Sequence, residues 1–231
     1  EKVELEIQER FPTARTLRWD SDSTHKKDAD DIILSHFVSQ RSNILIGTQM
    51  LAKGLDLPMV TLVGIILADV SLNLPDPFAA ERTFQVLTQV AGRAGRSERG
   101  GRVILQTFQP DHFAIKAAAE HDFQAFYENE ISIRKELGYP PFSRLVRLEF
   151  RNLDNQKAES STRSMVEYLR TKKRREGKVE TEVMGPLPCF YGKINNQYRW
   201  QTIIRGPDPV SLLPSRFLEG WKVEVDPPNL L

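Results

Sequence analysis

The residues best equipped for chemistry are the arginines of Gln89-Val90-Ala91-Gly92-Arg93-Ala94-Gly95-Arg96. Two guanidinium groups three positions apart, each preceded by a glycine, join permanent positive charge to space for a bulky anion. A guanidinium stays protonated at any working pH and forks onto phosphate oxygens. Phosphoryl transfer calls for such a group, because negative charge on the γ-phosphate oxygens must be met in the transition state. An inserted arginine there is worth roughly 10³–10⁵ in rate. A lone Gly-Arg pair fits a surface loop as well as a site. The full Q-x-x-G-R-A-G-R pattern is far more specific, and it makes Arg93 and Arg96 the leading candidates.

A second group follows an apolar strand: Gly47-Thr48-Gln49-Met50-Leu51-Ala52-Lys53-Gly54-Leu55-Asp56. In open α/β sheets, ligands bind outside the carboxyl ends of strands. Thr48 can donate to a phosphate, Gly54 permits close backbone approach, and Asp56 can accept from a hydroxyl. An ordinary turn, with Gly for positive φ and Asp for capping, would use the same residues. The third group is Arg170-Thr171-Lys172-Lys173-Arg174-Arg175-Glu176-Gly177-Lys178. Lys172, Lys173, Arg174 and Arg175 are candidate phosphate contacts whose affinity would fall steeply with salt. A solvated helix end, where cations suit the dipole, explains them equally. Tyr198-Arg199-Trp200 mixes rings with charge, as base-stacking surfaces do. Alternation along a strand puts both rings on one face, however, which favours core packing. His25 reads as a loop residue, and His112 and His121 as helix-surface or capping groups.

These groups need positioning elements. The sequence predicts a charged helix from residue 3 to the stop at Pro12, a strand over 14–19 and a helix over 28–38. Strands follow over 44–46 and 60–68, then a helix over 77–93 with Pro at its start, and a strand over 101–108. The continuous apolar runs fit a parallel sheet covered on both faces, and strand–helix alternation points to a doubly wound α/β domain. A helical pattern runs over 112–137 until Gly138-Tyr139-Pro140-Pro141 stops it. Beyond lie predicted strands at 145–150, 179–184, 198–205 and 221–225, with helices at 156–173 and near 212–218. That half reads as a small α+β unit, so the expected domains are 1–138 and 139–231.

The whole chain has 231 residues, 40% of them hydrophobic, which is enough for real cores, and its 13 Gly and 14 Pro exclude fibrous or disordered classes. Its single cysteine, Cys189, excludes a disulfide framework and a Cys-rich zinc cluster within these residues. The four histidines show no metal-ligand spacing, and no Ser-His-Asp order suggests a nucleophilic triad. No apolar run approaches the ~20 residues of a membrane span, and no secretory signal opens the sequence, which fits a cytoplasmic protein. Residues 1–138 carry 16 Lys and Arg against 20 Asp and Glu, a net −4. Residues 139–231 carry 16 against 11, a net +5, which biases the second half toward an anionic partner. The absence of an initiator Met suggests a piece of a longer protein.

Residues 47–56 and 89–96 are similar to motifs V and VI in the second RecA-like lobe of superfamily 2 helicases. The stretches Leu67-Ala68-Asp69, Leu74-Pro75-Asp76 and Ala79-Ala80-Glu81-Arg82-Thr83-Phe84-Gln85 resemble, more narrowly, the PriA family of primosomal replication-restart helicases. So do Leu137-Gly138-Tyr139-Pro140-Pro141-Phe142-Ser143-Arg144, Gly185-Pro186-Leu187-Pro188 and Tyr198-Arg199-Trp200-Gln201. The resemblance implies a RecA-like parallel-sheet lobe followed by a small α+β domain, from an ATP-dependent 3′→5′ DNA helicase acting at stalled forks. It implies Arg96 as the arginine finger, Arg93 as a second γ-phosphate contact, and Gln89 as a group positioning ATP or the attacking water. Gly54 and Asp56 would lie near the nucleotide, and Thr48 would meet the DNA backbone. Single-stranded and branched DNA, the single-stranded DNA-binding protein and other primosome proteins are the implied partners, with no membrane.

The sequence departs from the family by lacking a G-x-x-x-x-G-K-[S/T] loop, an acidic pair for Mg²⁺, and the family's zinc-binding cysteines. ATP, Mg²⁺ and zinc are therefore expected only with the full-length protein, and these residues alone are expected not to hydrolyse ATP. Two alternatives remain open: another superfamily 2 helicase or translocase, and a non-enzymatic nucleic-acid or protein binding module.

Overall fold

The computed structural model describes residues 1–19, 29–48, 57, 59–94 and 101–231, with backbone alone for 29–31 and 93–94. Two compact units emerge: residues 1–69 with 82–122, and residues 70–81 with 123–231. This partition differs from a single cut at residue 138, because both 70–81 and the helix before Gly138 pack with the C-terminal residues.

In the first unit, α1 (Lys2–Arg10) precedes β1 (Thr16–Trp19), and α2 (Ala29–Val38) precedes β2 (Ile44–Gly47). β1 and β2 pair in parallel, Thr16 opposite Ile44 through Trp19 opposite Gly47. β3 (Leu62–Ile65) pairs in parallel with β4 (Arg102–Leu105). Alternate residues point to opposite faces, and only one face of this second ladder is covered. Val63, Ile65, Val103 and Leu105 are half-buried, while Leu62 and Ile104 remain 57% and 55% exposed. The strands are parallel as expected, but these two are not enclosed on both sides.

After the short α3 (Asp69–Leu72) comes α4 (Ala79–Ala94), whose Thr83, Phe84 and Leu87 form its buried stripe. The expected helix over 112–137 is two helices, α5 (Phe113–Glu120) and α6 (Phe123–Leu137). His112 Nδ1 accepts from Ala114 N at 3.2 Å as the N-cap of α5, and His121 closes it in the left-handed region at φ 54. Both histidines are thus capping groups. No Gly or Pro marks the break, so periodicity alone ran through it.

The second unit contains β5 (Arg144–Asn152), α7 (Asn155–Arg175), β6 (Glu182–Ile194), β7 (Gln197–Gly206), a 3-10 turn (Val210–Leu212) and β8 (Trp221–Val225). Its strands form one antiparallel sheet in the order β6-β7-β5-β8, with α7 packed on one face. Asp154 caps α7 by accepting from Gln156 N at 2.8 Å and Lys157 N at 3.2 Å. Val166 and Leu169 of α7 bury against Val146, Leu148, Val183, Ile204 and Leu212. The opposite face of the sheet carries Leu145 and Ile203, covered by Phe78 and Leu230.

Candidate functional site

Of the sequence-predicted site residues in the first unit, Thr48, Gln89 and the backbone of Arg93 fall within the described residues. β2 closes at Gly47, and Thr48 follows it, exposed, at the carboxyl end of the strand. Gln89 is exposed on α4, and Arg93 follows four residues later, about one turn on and one residue before the helix end at Ala94. A cation there suits the negative end of the helix dipole. Gly54, Asp56, Arg96 and the side chain of Arg93 lie outside the described residues.

Two aspartates quoted above for their pattern turn out to be clasps. Asp69 accepts from Thr107 Oγ1 at 2.8 Å and from Phe108 N at 3.1 Å, tying α3 to the exit of β4. Burial pushes its carboxyl up, but Thr107 and the backbone amides outweigh this and hold it below the usual carboxylate range. Asp76 works within the second unit. Its Oδ1 accepts from Phe78 N at 2.8 Å and its Oδ2 from Leu230 N at 2.7 Å. Nearby, Arg134 donates to Glu81 at 2.6 Å and Glu130 at 2.7 Å, with its guanidinium 5.0 Å from the Phe78 ring centroid. Sequence reading saw Asp76 only as part of a motif, since nothing local reveals a partner 154 residues away.

The basic end of α7 separates into clamps and more exposed cations. Lys172 is only 16% exposed, and its ammonium donates to Ser211 O at 2.9 Å and Leu213 O at 3.0 Å. It thereby holds the 3-10 turn, and a phosphate could claim it only by releasing two backbone carbonyls. Arg170 likewise donates to Val183 O and Gly185 O on β6. Lys178 bonds Ser211 Oγ and lies 3.5 Å from Asp208. Arg174 and Arg175 are exposed, and Lys173 is partly so. A shallow groove of about 370 Å³ runs along this part of α7, lined by Ser164, Glu167, Tyr168, Thr171, Lys172 and Arg175.

Tyr198 and Trp200 are both half-buried, neither enclosed in a core nor fully presented. The Lys193 ammonium sits 4.6 Å over the Tyr198 ring, and Trp200 Nε1 donates to Asn155 Oδ1 at 2.9 Å. Arg199, between them, points into a buried ion cluster that the sequence did not reveal. Arg199 Nε and an Nη donate to Glu149 at 2.7 and 2.9 Å, Arg147 donates at 3.0 Å, and Arg151 closes on the same carboxylate. Burial pushes the Glu149 carboxyl up, but Arg199 and Arg151 bring it down to about 2. Their alternation at 147, 149 and 151 on one strand was the available signal. It was lost because charges in a strand ordinarily mark a solvated face.

Among the described residues no group of His, Cys, Asp and Glu is placed to hold a metal ion, and no helix is long and apolar enough to cross a membrane.

Comparison with known proteins adds the family context. Residues 5–98 match the helicase conserved C-terminal domain, and residues 135–228 match the Primosomal protein N C-terminal domain. The replication restart protein PriA of Bacillus subtilis is 38% identical over 233 residues, covering all of this chain and 28% of that protein. The Synechocystis protein of the same name is 38% identical over 216 residues, covering 92% of the chain and 25% of its own length. That of Treponema pallidum is 36% identical over 241 residues, covering the full chain and 36% of its length. The chain thus spans between a quarter and just over a third of these relatives. With a RecA-like helicase lobe followed by an α+β domain, each matched in its own right, the chain belongs to the PriA replication-restart family, of which it represents the C-terminal part.

Proposed function

We propose that this chain supplies the arginine half of the ATP site, and a nucleic-acid-binding domain, to an ATP-dependent 3′→5′ DNA helicase. That helicase recognises branched DNA and starts primosome assembly at stalled forks. The observation that carries the reading is the Q-x-x-G-R-A-G-R run, which begins on α4 at Gln89, within residues that match a helicase C-terminal domain. Arg96 acts as the finger that meets charge on the γ-phosphate, Arg93 as its neighbour, and Gln89 as the group orienting ATP or water. Gly54 and Asp56 line the nucleotide, and Thr48 meets the DNA backbone.

ATP and its Mg²⁺ are held with protein outside these residues, which contain no phosphate-binding G-x-x-x-x-G-K-[S/T] loop. In the second unit, Lys173, Arg174 and Arg175 contact phosphates, while Lys172 secures the loop beside them. The single-stranded DNA-binding protein and other primosome proteins are its partners.

In the full-length protein, Arg96→Ala is expected to keep nucleotide binding while ATP turnover drops by roughly 10³ or more. Near-normal turnover would remove Arg96 from the catalytic role. The 231-residue chain alone is expected to show no DNA-stimulated ATPase activity.

A further inference from the structure

We infer that Phe190 and Tyr191 form a stacking platform for the unpaired bases of single-stranded nucleic acid, a deepening that rests on the nucleic-acid reading above. The two rings stand 47% and 56% exposed, with centroids 4.9 Å apart at an interplanar angle of 81°. Adjacent bare rings on an edge strand are a liability unless something covers them.

The strand is built to hold them there. β6 pairs with β7 up to Pro188 opposite Trp200 and resumes at Lys193 opposite Tyr198. Residues 189–192 therefore bulge out against the single residue Arg199. The bulge is pinned: Cys189 is buried at its start, and an Arg199 Nη donates to Tyr191 O at 3.2 Å. Arg199 is itself fixed by two hydrogen bonds to buried Glu149. A platform fixed this way loses little freedom when a ligand arrives.

Charge selects the occupant. From Leu187 to Tyr198 there is no carboxylate, and the one charged side chain is Lys193. On β5, the strand beyond β7, Arg151 pairs with Arg199 in register and stays 41% exposed. Rings flanked by cations and amides suit a polyanion whose bases offer π-faces, since stacking on aromatic side chains tolerates any sequence. An apolar peptide would draw nothing from those cations.

The test uses the 231-residue chain and a fluorescein-labelled oligo(dT) of about 20 nucleotides, longer than a typical site of this kind. Phe190→Leu with Tyr191→Leu keeps apolar bulk and removes both rings. This variant is expected to bind oligo(dT) roughly 10–100-fold more weakly, with an unchanged salt slope, unchanged affinity for duplex DNA and an unchanged melting midpoint. Arg174→Gln with Arg175→Gln should instead flatten the salt slope, by about 0.7 per cation on single strands.

Oligo(dT) carrying 5-iododeoxyuridine should photo-crosslink at residues 190–191 of the unsubstituted chain. Unchanged oligo(dT) affinity in the double-leucine variant overturns the platform and leaves the nucleic-acid reading standing, as does equal weakening toward duplex. Loss of a protein partner with oligo(dT) binding intact also overturns it, in favour of a protein-docking patch. If the unsubstituted chain binds no nucleic acid even at low salt, both readings fall.

Discussion

Replacing Glu149 by Gln tests the buried ion cluster where its energetics are largest. The carboxylate is fully buried, and Arg147 and Arg199, buried with it, have it as their shared counter-charge. Its pKa falls from 4.5 to about 2 on folding, because the hydrogen bonds and charges of the arginines outweigh the opposing effect of burial. A shift of that size corresponds to about 3 kcal/mol. Because the folded value is the lower one, the stabilisation is complete above pH 4.5 and disappears as the pH falls through about 2.

Glutamine keeps the shape and one acceptor but strands the arginines, and breaking a buried pair costs about 3–5 kcal/mol. With a urea m-value of about 2 kcal/mol/M, the midpoint at pH 7 should drop by roughly 1.5 M or more. In a Trp19→Phe background, the fluorescence of Trp200 and Trp221 reports the second unit alone. At pH 3 the linkage part of the advantage should shrink to less than half. A midpoint change below about 0.5 M, or one equal at both pH values, would refute the reasoning.

Asp76→Ala leaves the amides of Phe78 and Leu230 without their acceptor, and should cost about 2–3 kcal/mol in the same titration. Hydrogen exchange at those two amides should accelerate, and protection equal to the parent chain would argue against the clasp. Gly206→Ala would put a Cβ 2.6 Å from Thr181 Oγ1 and 2.9 Å from Thr181 Cα. It should destabilise by about 1–3 kcal/mol, with only partial recovery on adding Thr181→Ala, because the backbone contact survives; a thermal melt decides both.

What the sequence conveyed well was local and periodic. The apolar spacing of α7, the stop at Pro12 and the apolar runs of β2 and β3 follow from side-chain geometry within a few residues. The long β6–β7 hairpin was harder. Its turn uses Asn195 and Asn196, both at positive φ, rather than an Asn-Gly pair, and Pro186 and Pro188 read as punctuation although an edge strand tolerates them.

The arginine run was legible as a candidate site because its residue types admit few other uses. The fate of Lys172 was not, since a lysine in a basic run looks the same whether its ammonium meets solvent or Ser211 O. Long-range pairing is equally silent in composition. Nothing around Glu149 announces that Arg199, fifty positions away, will neutralise it.

The clasp between Asp76 and Leu230 has a consequence for biosynthesis. Ribosomes release the chain from its amino end, so Phe78 emerges long before Leu145, Ile203 and Leu230, the residues that will enclose it. At about 5–20 residues per second, the 154 positions separating the clasp partners take roughly 8–30 s to translate. Throughout that interval an aromatic ring and an acidic side chain wait without their enclosure, ready for a chaperone or for a neighbouring nascent chain. A gene fragment opened at codon 139 would make the opposite error, producing a sheet that keeps Leu230 but lacks the Phe78 ring that shares its cover.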